Sequence, residues 1–399
     1  MSVKLYTCLA LGLSLAASVH AAAASYRPPP GPYRPPPGQG IAPPQAFRDL
    51  QSSYDESMDD ILDRGYGFRC SKDNIGVRRS WDALSRHERR EYIRAVKCLH
   101  ERPAIADPKR APGNRNRMDD FTYSHINQSL FIHQSALLLP WHRYYVWSFE
   151  KALREECGYN GYQPYWDFSR WSNNQLESAL LDGSPTSLGG NGVLVPQTPN
   201  ILHIPGFPSE FDVHLPPGTG GGCVVDGGLV PFNLSLGPVT SAPPPTPGDT
   251  FGIQYNPRCL KRNLIPAISR DQLTWNRTMS VLSSTTIREL MERVEMNRPA
   301  LHGLLHASIG GDIVDFFASP GDPFFYFLHS QLDRLWSIWQ AQDWDTRRNA
   351  LYGTQTLFNI PPSPNATTDT IMELLYAGGK VRIGQAMSTV DGPFCYRYE

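Results

Sequence analysis

The chain has 399 residues, 40% of them hydrophobic and 11% aromatic, with a formal net charge of −1 at pH 7. That is enough apolar material for one large domain or two small ones. The balanced charge gives no basic excess for nucleic acid and no acidic block of the kind that forms disordered tails.

Residues 1–24 read as a secretory signal peptide. Lys4 supplies the positive end, Cys8 to Val19 the short apolar core, and Val19-His20-Ala21 or Ala22-Ala23-Ala24 the small-residue cleavage site. This run is too short to span a bilayer and no other approaches the length needed, so an extracellular protein without a membrane partner is expected. Residues 25–46 are proline-rich, and 26–38 repeat one unit, YRPPPGP then YRPPPGQ. Triple prolines favour extended polyproline II, which serves as a spacer, a removable pro-segment, a tether or a ligand for an aromatic groove. The folded domain is placed at 47–399.

Cleavage leaves Cys70, Cys98, Cys157, Cys223, Cys259 and Cys395. An even number in a secreted chain favours three disulfides, with the pairing open. Asn127, Asn233, Asn276 and Asn365 sit in N-x-S/T sequons and are candidates for glycosylation. Asn127, close to a candidate metal ligand, is the least suited of the four.

Helical patterning starts at Ser80–His100, with Ser85 as cap and Tyr92, Ile93, Val96 and Leu99 on one face. Asp119 can cap a second helix, which carries His125. A third, of about four turns, starts near Pro140 and carries His142. Residues 183–260 are rich in Gly and Pro and read as irregular loops or a small β excursion. Helical pattern returns at Thr285–Glu295 and continues into HGLLHASIGGDIVDFFASPGDPFFYFLHSQLD, residues 302–333.

That last stretch carries the first candidate site. His302 and His306 are four apart, which stacks both imidazoles on one helix face. Two neutral imidazoles so placed can bind one metal ion. His329, on a following buried helix, offers a third nitrogen. Gly310, Gly311, Pro320, Gly321 and Pro323 let the chain fold back to bring it there. His125, His133 and His142 form a second set. His133 and His142 would point oppositely on one continuous helix. Pro140 disfavours helix at the residue before it and suits a first turn, so His133 can lie in an irregular segment while His142 opens the next helix. His87, His100, His203 and His214 lack partners at useful spacing and read as surface or satisfied core residues. Three plus three imidazoles, with no carboxylate at ligand spacing, suit copper or zinc. Two three-His sites with an open position suit redox or oxygen chemistry better than a closed structural zinc.

These residues resemble the tyrosinase and catechol oxidase family, the type-3 dinuclear copper polyphenol oxidases related to haemocyanins. One motif is His133, eight residues, then His142-Arg143, with Glu150 eight further on. The other is Asp322-Pro323-Phe324-Phe325, then His329, then Asp333. PYWD at 164–167, DRLWSIWQ at 333–340 and Tyr396-Arg397-Tyr398 also match, so the resemblance covers about residues 65–399. It implies that His125, His133 and His142 hold one copper and His302, His306 and His329 the other. The implied fold is mainly α, a central four-helix bundle holding the dinuclear copper site, with long irregular loops and little β. The implied activity is oxidation of small phenolic substrates, catechols to o-quinones, with O2 as co-substrate and water as its reduced product. Alternatives are a tyrosinase with efficient monophenolase activity, an oxygen-binding protein like haemocyanin, and a dinuclear zinc hydrolase. The lack of bridging carboxylates weighs against the last. Oligomeric state is left open.

The sequence departs from the family pattern in places. Phe131 and Ile132 stand where many relatives have a cysteine that forms a thioether to a ligand, so no thioether is expected. Leu138 replaces a motif phenylalanine, and Leu328 a frequent histidine. The chain ends one residue after Tyr398, without the C-terminal domain that plugs longer relatives, so no proteolytic activation is expected. Phe316, ten residues after His306, is either the gate over the second copper or a core residue beside Phe317. Gly303 and Ala307 complete the expected pocket. Efficient monophenolases place an asparagine at the position of Gly303 and a water-ordering glutamate nearby. Neither Glu292 nor Glu295 matches that glutamate by offset, so a preference for o-diphenols is expected. Asp333 either accepts a hydrogen bond from a ligand imidazole or pairs with Arg143 or Arg334. Trp141, Trp166, Trp336 and Trp339 read as core.

Overall fold

A computed structural model describes residues 40–66, 69–197, 200–240 and 252–399. The signal peptide, the proline repeat and the prolines at 243–245 lie outside the described residues. Helix α1 (Gln45–Asp63) begins two residues before the buried Phe47. Helix α2 (Arg86–Glu101) starts after Ser85, whose hydroxyl accepts from Glu88 N–H while the Glu88 carboxylate accepts from Ser85 N–H. This reciprocal pair satisfies two donors that a helix start leaves open. Tyr92, Ile93, Val96 and Leu99 are buried, as their spacing requires.

Helix α3 (Arg117–Ile132) starts earlier than expected. Asn116 is its cap, and Asp119 is the third residue of the same reciprocal box, accepting from Asn116 N–H at 3.1 Å. The short Asn and Asp side chains reproduce the Ser–Glu pairing, so helix extends toward the cap. Helix α4 (Leu138–Cys157) starts two residues before Pro140, whose missing N–H falls in the first turn, where no acceptor exists. It ends at Gly158 in the left-handed region, φ 63°. Between α3 and α4 the backbone is extended at His133, φ −119° and ψ 151°. The break falls there and not at the residue before Pro140, since Leu139 lies in the first turn of α4.

Helices α5 (Pro266–Gln272), α6 (Trp275–Leu282) and α7 (Ile287–Met291) follow, and α7 runs into a π-helical turn at Glu292–Met296. Helix α8 (Leu301–Ile309) ends at Gly310 and Gly311, with φ 59° and 67°. A Cβ there would meet backbone oxygens of Asn263 and Lys261 at 2.4 and 2.3 Å, so the reversal requires glycine. Helix α9 (Phe324–Ala341) is buried along its whole length. It packs on α1, α4, α6 and α8. Asp322 fixes its start, accepting from Phe324 N–H and from both Nε and Nη2 of buried Arg262 at 2.8 Å. Trp141, Trp166, Trp336 and Trp339 are core residues.

Among the described residues, eight short strands pair two by two: β1 (Gly76–Arg78), β2 (Asn200–Leu202), β3 (Val213–Leu215), β4 (Asn233–Leu234), β5 (Arg258–Cys259), β6 (Ile371–Glu373), β7 (Lys380–Arg382) and β8 (Tyr396–Tyr398). Strands β1 and β8 pair in parallel, with Val77 opposite Arg397. They bring the C-terminal tail to Asp333. Arg143 Nε donates to Asp333 Oδ1 at 2.5 Å, and the Tyr396 and Tyr398 hydroxyls donate to Oδ2 at 2.6 Å each. Arg78 adds a longer contact at 3.5 Å and pairs with Glu150 at 2.9 Å. Asp333 therefore supports no ligand imidazole directly. Its arginine is Arg143, and Arg334 donates to Gln51.

The six cysteines pair as Cys70–Cys395, Cys98–Cys157 and Cys223–Cys259. The first ties the segment before β1 to the tail beside β8, and the second ties the ends of α2 and α4. A chain without residues 1–24, denatured without reductant, is expected to show no reactive thiol. One thiol per chain or more in a colorimetric assay would contradict this pairing.

Candidate metal centre

Four helices and one break bring the six histidines together. His125 comes from α3, His133 from its extended end, His142 from the first turns of α4, His302 and His306 from α8, and His329 from α9. They form two groups, His125, His133 and His142, and His302, His306 and His329. Within each group, one nitrogen from every ring lies within 4.8 Å of the others. In the second group the three Nε2 atoms are 3.1, 3.3 and 3.4 Å apart. Imidazole nitrogens at about 2.0–2.1 Å from one tetrahedral ion stand about 3.3 Å apart, so the spacing fits a metal site. The groups adjoin: the His142 and His329 rings stack at 4.1 Å, and His133 stacks on His302 at 5.7 Å.

The outer nitrogen of most of these rings is already engaged. Nδ1 of His125, His133, His142 and His306 lies 2.6, 3.0, 2.8 and 2.6 Å from the carbonyls of Phe317, Ser129, Leu138 and Ile313. A carbonyl can only accept, so each Nδ1 carries the proton and each Nε2 keeps its lone pair. The Nε2 atoms of His125 and His142 are buried without a hydrogen-bond partner, a costly arrangement unless a cation fills the gap. Burial pushes His125, His142, His306 and His329 well below the usual imidazole range and His133 to about 4, and neighbouring imidazoles act in the same direction. These rings are therefore neutral ligands at pH 7.

His302 has a different partner, which the sequence did not reveal. Its Nδ1 lies 2.7 Å from Glu295 Oε2, and the other carboxylate oxygen accepts from Gln134 N–H at 3.0 Å. Burial disfavours the Glu295 charge. The His302 and His133 rings and the Gln134 N–H outweigh it and hold the carboxyl at about 2. Gln134 sits at φ 48°, strain of the kind that collects where neighbours fix the backbone. The π-helical turn before α8 brings Glu295 to the ring, and a helical count of offsets cannot reproduce that turn.

A cavity of about 480 Å³ opens onto His133, His302 and His306. Gly303, Ala307 and Phe316 line it, as expected. A Cβ on Gly303 would meet nothing within 4 Å. Of the two places open to Phe316, the structure shows the one beside Phe317. Its ring lies 4.5 Å from His133 of the first group, and it also packs on Phe317 at 5.2 Å. Of the other histidines, His100 meets the Asn233 carbonyl at 2.7 Å and His203 meets Asp212, while the exposed His214 lines the cavity.

A family model for the common central domain of tyrosinase matches residues 115–342. The chain belongs to the tyrosinase family. It is 44% identical over 305 residues to the tyrosinase-like protein orsC of Emericella nidulans, spanning 74% of this chain and 82% of that protein. It is 38% identical over 340 residues to tyrosinase P of Aspergillus terreus, spanning 83% and 93%. A solved glycine-to-asparagine variant of polyphenol oxidase from Thermothelomyces thermophila superposes with a TM-score of 0.83. It is 37% identical, over 91% of this chain and all of that one. The protein is thus a helix-rich oxidoreductase of the tyrosinase and polyphenol oxidase family, and its two His triads suit a dinuclear copper site.

Proposed function

We propose that this tyrosinase-family protein is a secreted dinuclear copper oxidase that converts o-diphenols to o-quinones with O2 and hydroxylates monophenols only weakly. His125, His133 and His142 would hold one copper and His302, His306 and His329 the other. Copper held there would supply the redox chemistry: two catechols would each give up two electrons and two protons to one O2, leaving two o-quinones and two waters. Carbonyl-fixed imidazoles and a surround of buried aromatics keep the site neutral and dry.

The observation that carries the diphenol preference is the open space at Gly303. A monophenol must lose its proton to a positioned base before it reacts. Gly303 has no side chain to hold a water, and both Glu295 oxygens are already engaged, one by His302 and one by Gln134. A catechol is less demanding, because its first hydroxyl is more acidic than a phenol's and both hydroxyls can turn to the metal side of the cavity. Phe316, against His133, narrows the approach and serves as the gate in this reading. The exposed Asn233, Asn276 and Asn365 are compatible with glycosylation of a secreted chain.

The test compares initial rates on 4-methylcatechol and 4-methylphenol for protein shown by metal analysis to hold two coppers. The catechol is expected to react at least about tenfold faster. Gly303→Asn, which the open space accommodates, should raise the monophenol-to-diphenol ratio about tenfold. A monophenol rate equal to the catechol rate in the native protein would overturn the assignment.

A further inference from the structure

The cavity mouth carries a cation that none of the copper chemistry uses. Arg298, four residues before His302, is exposed and lines the cavity. Its guanidinium stands 4.9 Å from the Phe358 ring centre and 5.7 Å from that of Phe211, and these rings are themselves 4.4 Å apart. Nη1 donates to the Phe211 carbonyl at 3.0 Å. Three chain segments thus converge here: the turn between β2 and β3, the approach to α8, and the loop at Phe358. Phe358 is held at φ 53°, a conformation costly for a bulky residue.

No carboxylate of the described residues pairs with Arg298. The two carboxylates that line the cavity are committed elsewhere. Asp315 accepts from the N–H groups of Val239, Thr240, Phe317 and Ala318. Glu295 accepts from His302 and Gln134. One guanidinium N–H is spent on Phe211, and the fork keeps others to donate. A guanidinium stacked on aromatic faces is pre-organised, so little side-chain freedom is lost when it grips a planar oxyanion. The rest of the mouth is apolar, with Leu202 and Leu215 from the β2–β3 hairpin, and His214 beside them.

We propose that Arg298 is a specificity-determining residue that anchors a carboxylate carried on the side chain of the phenolic substrate, so that the preferred substrates are aromatic acids. This rests on the reading of the cavity as a phenol oxidase site. The ring lies toward His133, His302 and His306, and the carboxylate reaches back to the Phe211–Phe358 platform.

The experiment uses the copper-loaded full-length protein and 3-(3,4-dihydroxyphenyl)propionate beside its methyl ester. Two methylenes insulate the ring, so the two differ in charge at the tail and not in ease of oxidation. The acid is expected to have a kcat/KM about tenfold above the ester, through KM, with an advantage that shrinks as salt rises. In Arg298→Gln, which removes the charge and keeps a polar side chain, the ratio should fall to about one, and Arg298→Lys should keep part of it. A ratio near one in the native protein, or an unchanged ratio in Arg298→Gln, would overturn the proposal. A second measurement needs no turnover: 3-phenylpropionate should bind about tenfold more tightly than its amide by calorimetry, and only when Arg298 is present. Absence of oxidation of either catechol would refute the oxidase reading, and the binding measurement would still decide the role of Arg298.

Discussion

Changing His306 to alanine should cut catechol oxidation by at least about a thousandfold and lower the copper content below two per chain. The Nε2 atom of His306 stands 3.1 Å from that of His302 and 3.3 Å from that of His329, so its loss leaves two donors where three converge. Alanine is the best helix former, and the position lies in the last turns of α8, so the scaffold should stand. The substitution also leaves the buried Ile313 carbonyl without its imidazole partner. Circular dichroism close to that of the native protein, with the metal and activity gone, is the expected result. Full activity with two bound coppers would remove His306 from the ligand set.

The second large effect lies away from the metal. Asp333→Ala should destabilise the protein by about 3–5 kcal/mol, a fall in Tm on the order of 10 °C. Arg143 and Arg78 are wholly buried, and removal of Asp333 leaves Arg143 without its carboxylate and takes the shared acceptor from Tyr396 and Tyr398. Arg78 still has Glu150, so the damage should centre on α4 and the tail. This cluster matters for the site because of where it sits. Arg143 follows His142 on α4, and Asp333 is one turn beyond His329 on α9. Their ion pair therefore holds two ligand-bearing helices in register, and the tyrosines of β8 lock the tail over them. Thermal melts with limited proteolysis of the C-terminal tail would check this. A Tm shift under about 2 °C would show that the cluster is not the clasp described here.

Much of the grouping of the histidines was legible in the sequence because local rules bear on it. Spacing of four puts His302 and His306 on one face of any helix, and Pro140, which fits only a helix's first turn, leaves His133 outside α4. The buried pattern of α9, the Ser85 cap and the glycine reversal at 310–311 follow from the same short-range sterics and hydrogen bonding. Asn116 and Asp119 can each cap α3, and only the formed box places the start at Asn116, three residues before Asp119.

What lay beyond the sequence were choices between partners far apart in the chain. Asp333 could face an imidazole or either of two arginines, and the approach of α4 to α9, with the tail laid against both, selected Arg143. The cysteines could pair in many ways, and the positions of the helix ends chose one. Glu295 reached His302 through a π-helical turn that no regular offset describes, and Phe316 turned to His133 because its loop is anchored by Asp315. Arg298 gained its setting from two phenylalanines, one before it in the chain by 87 residues and one after it. Periodicity dictates where a side chain points from its own helix. Which groups then meet is set by how the helices and loops pack, since burial leaves each charged or polar group only the partners that packing brings within reach.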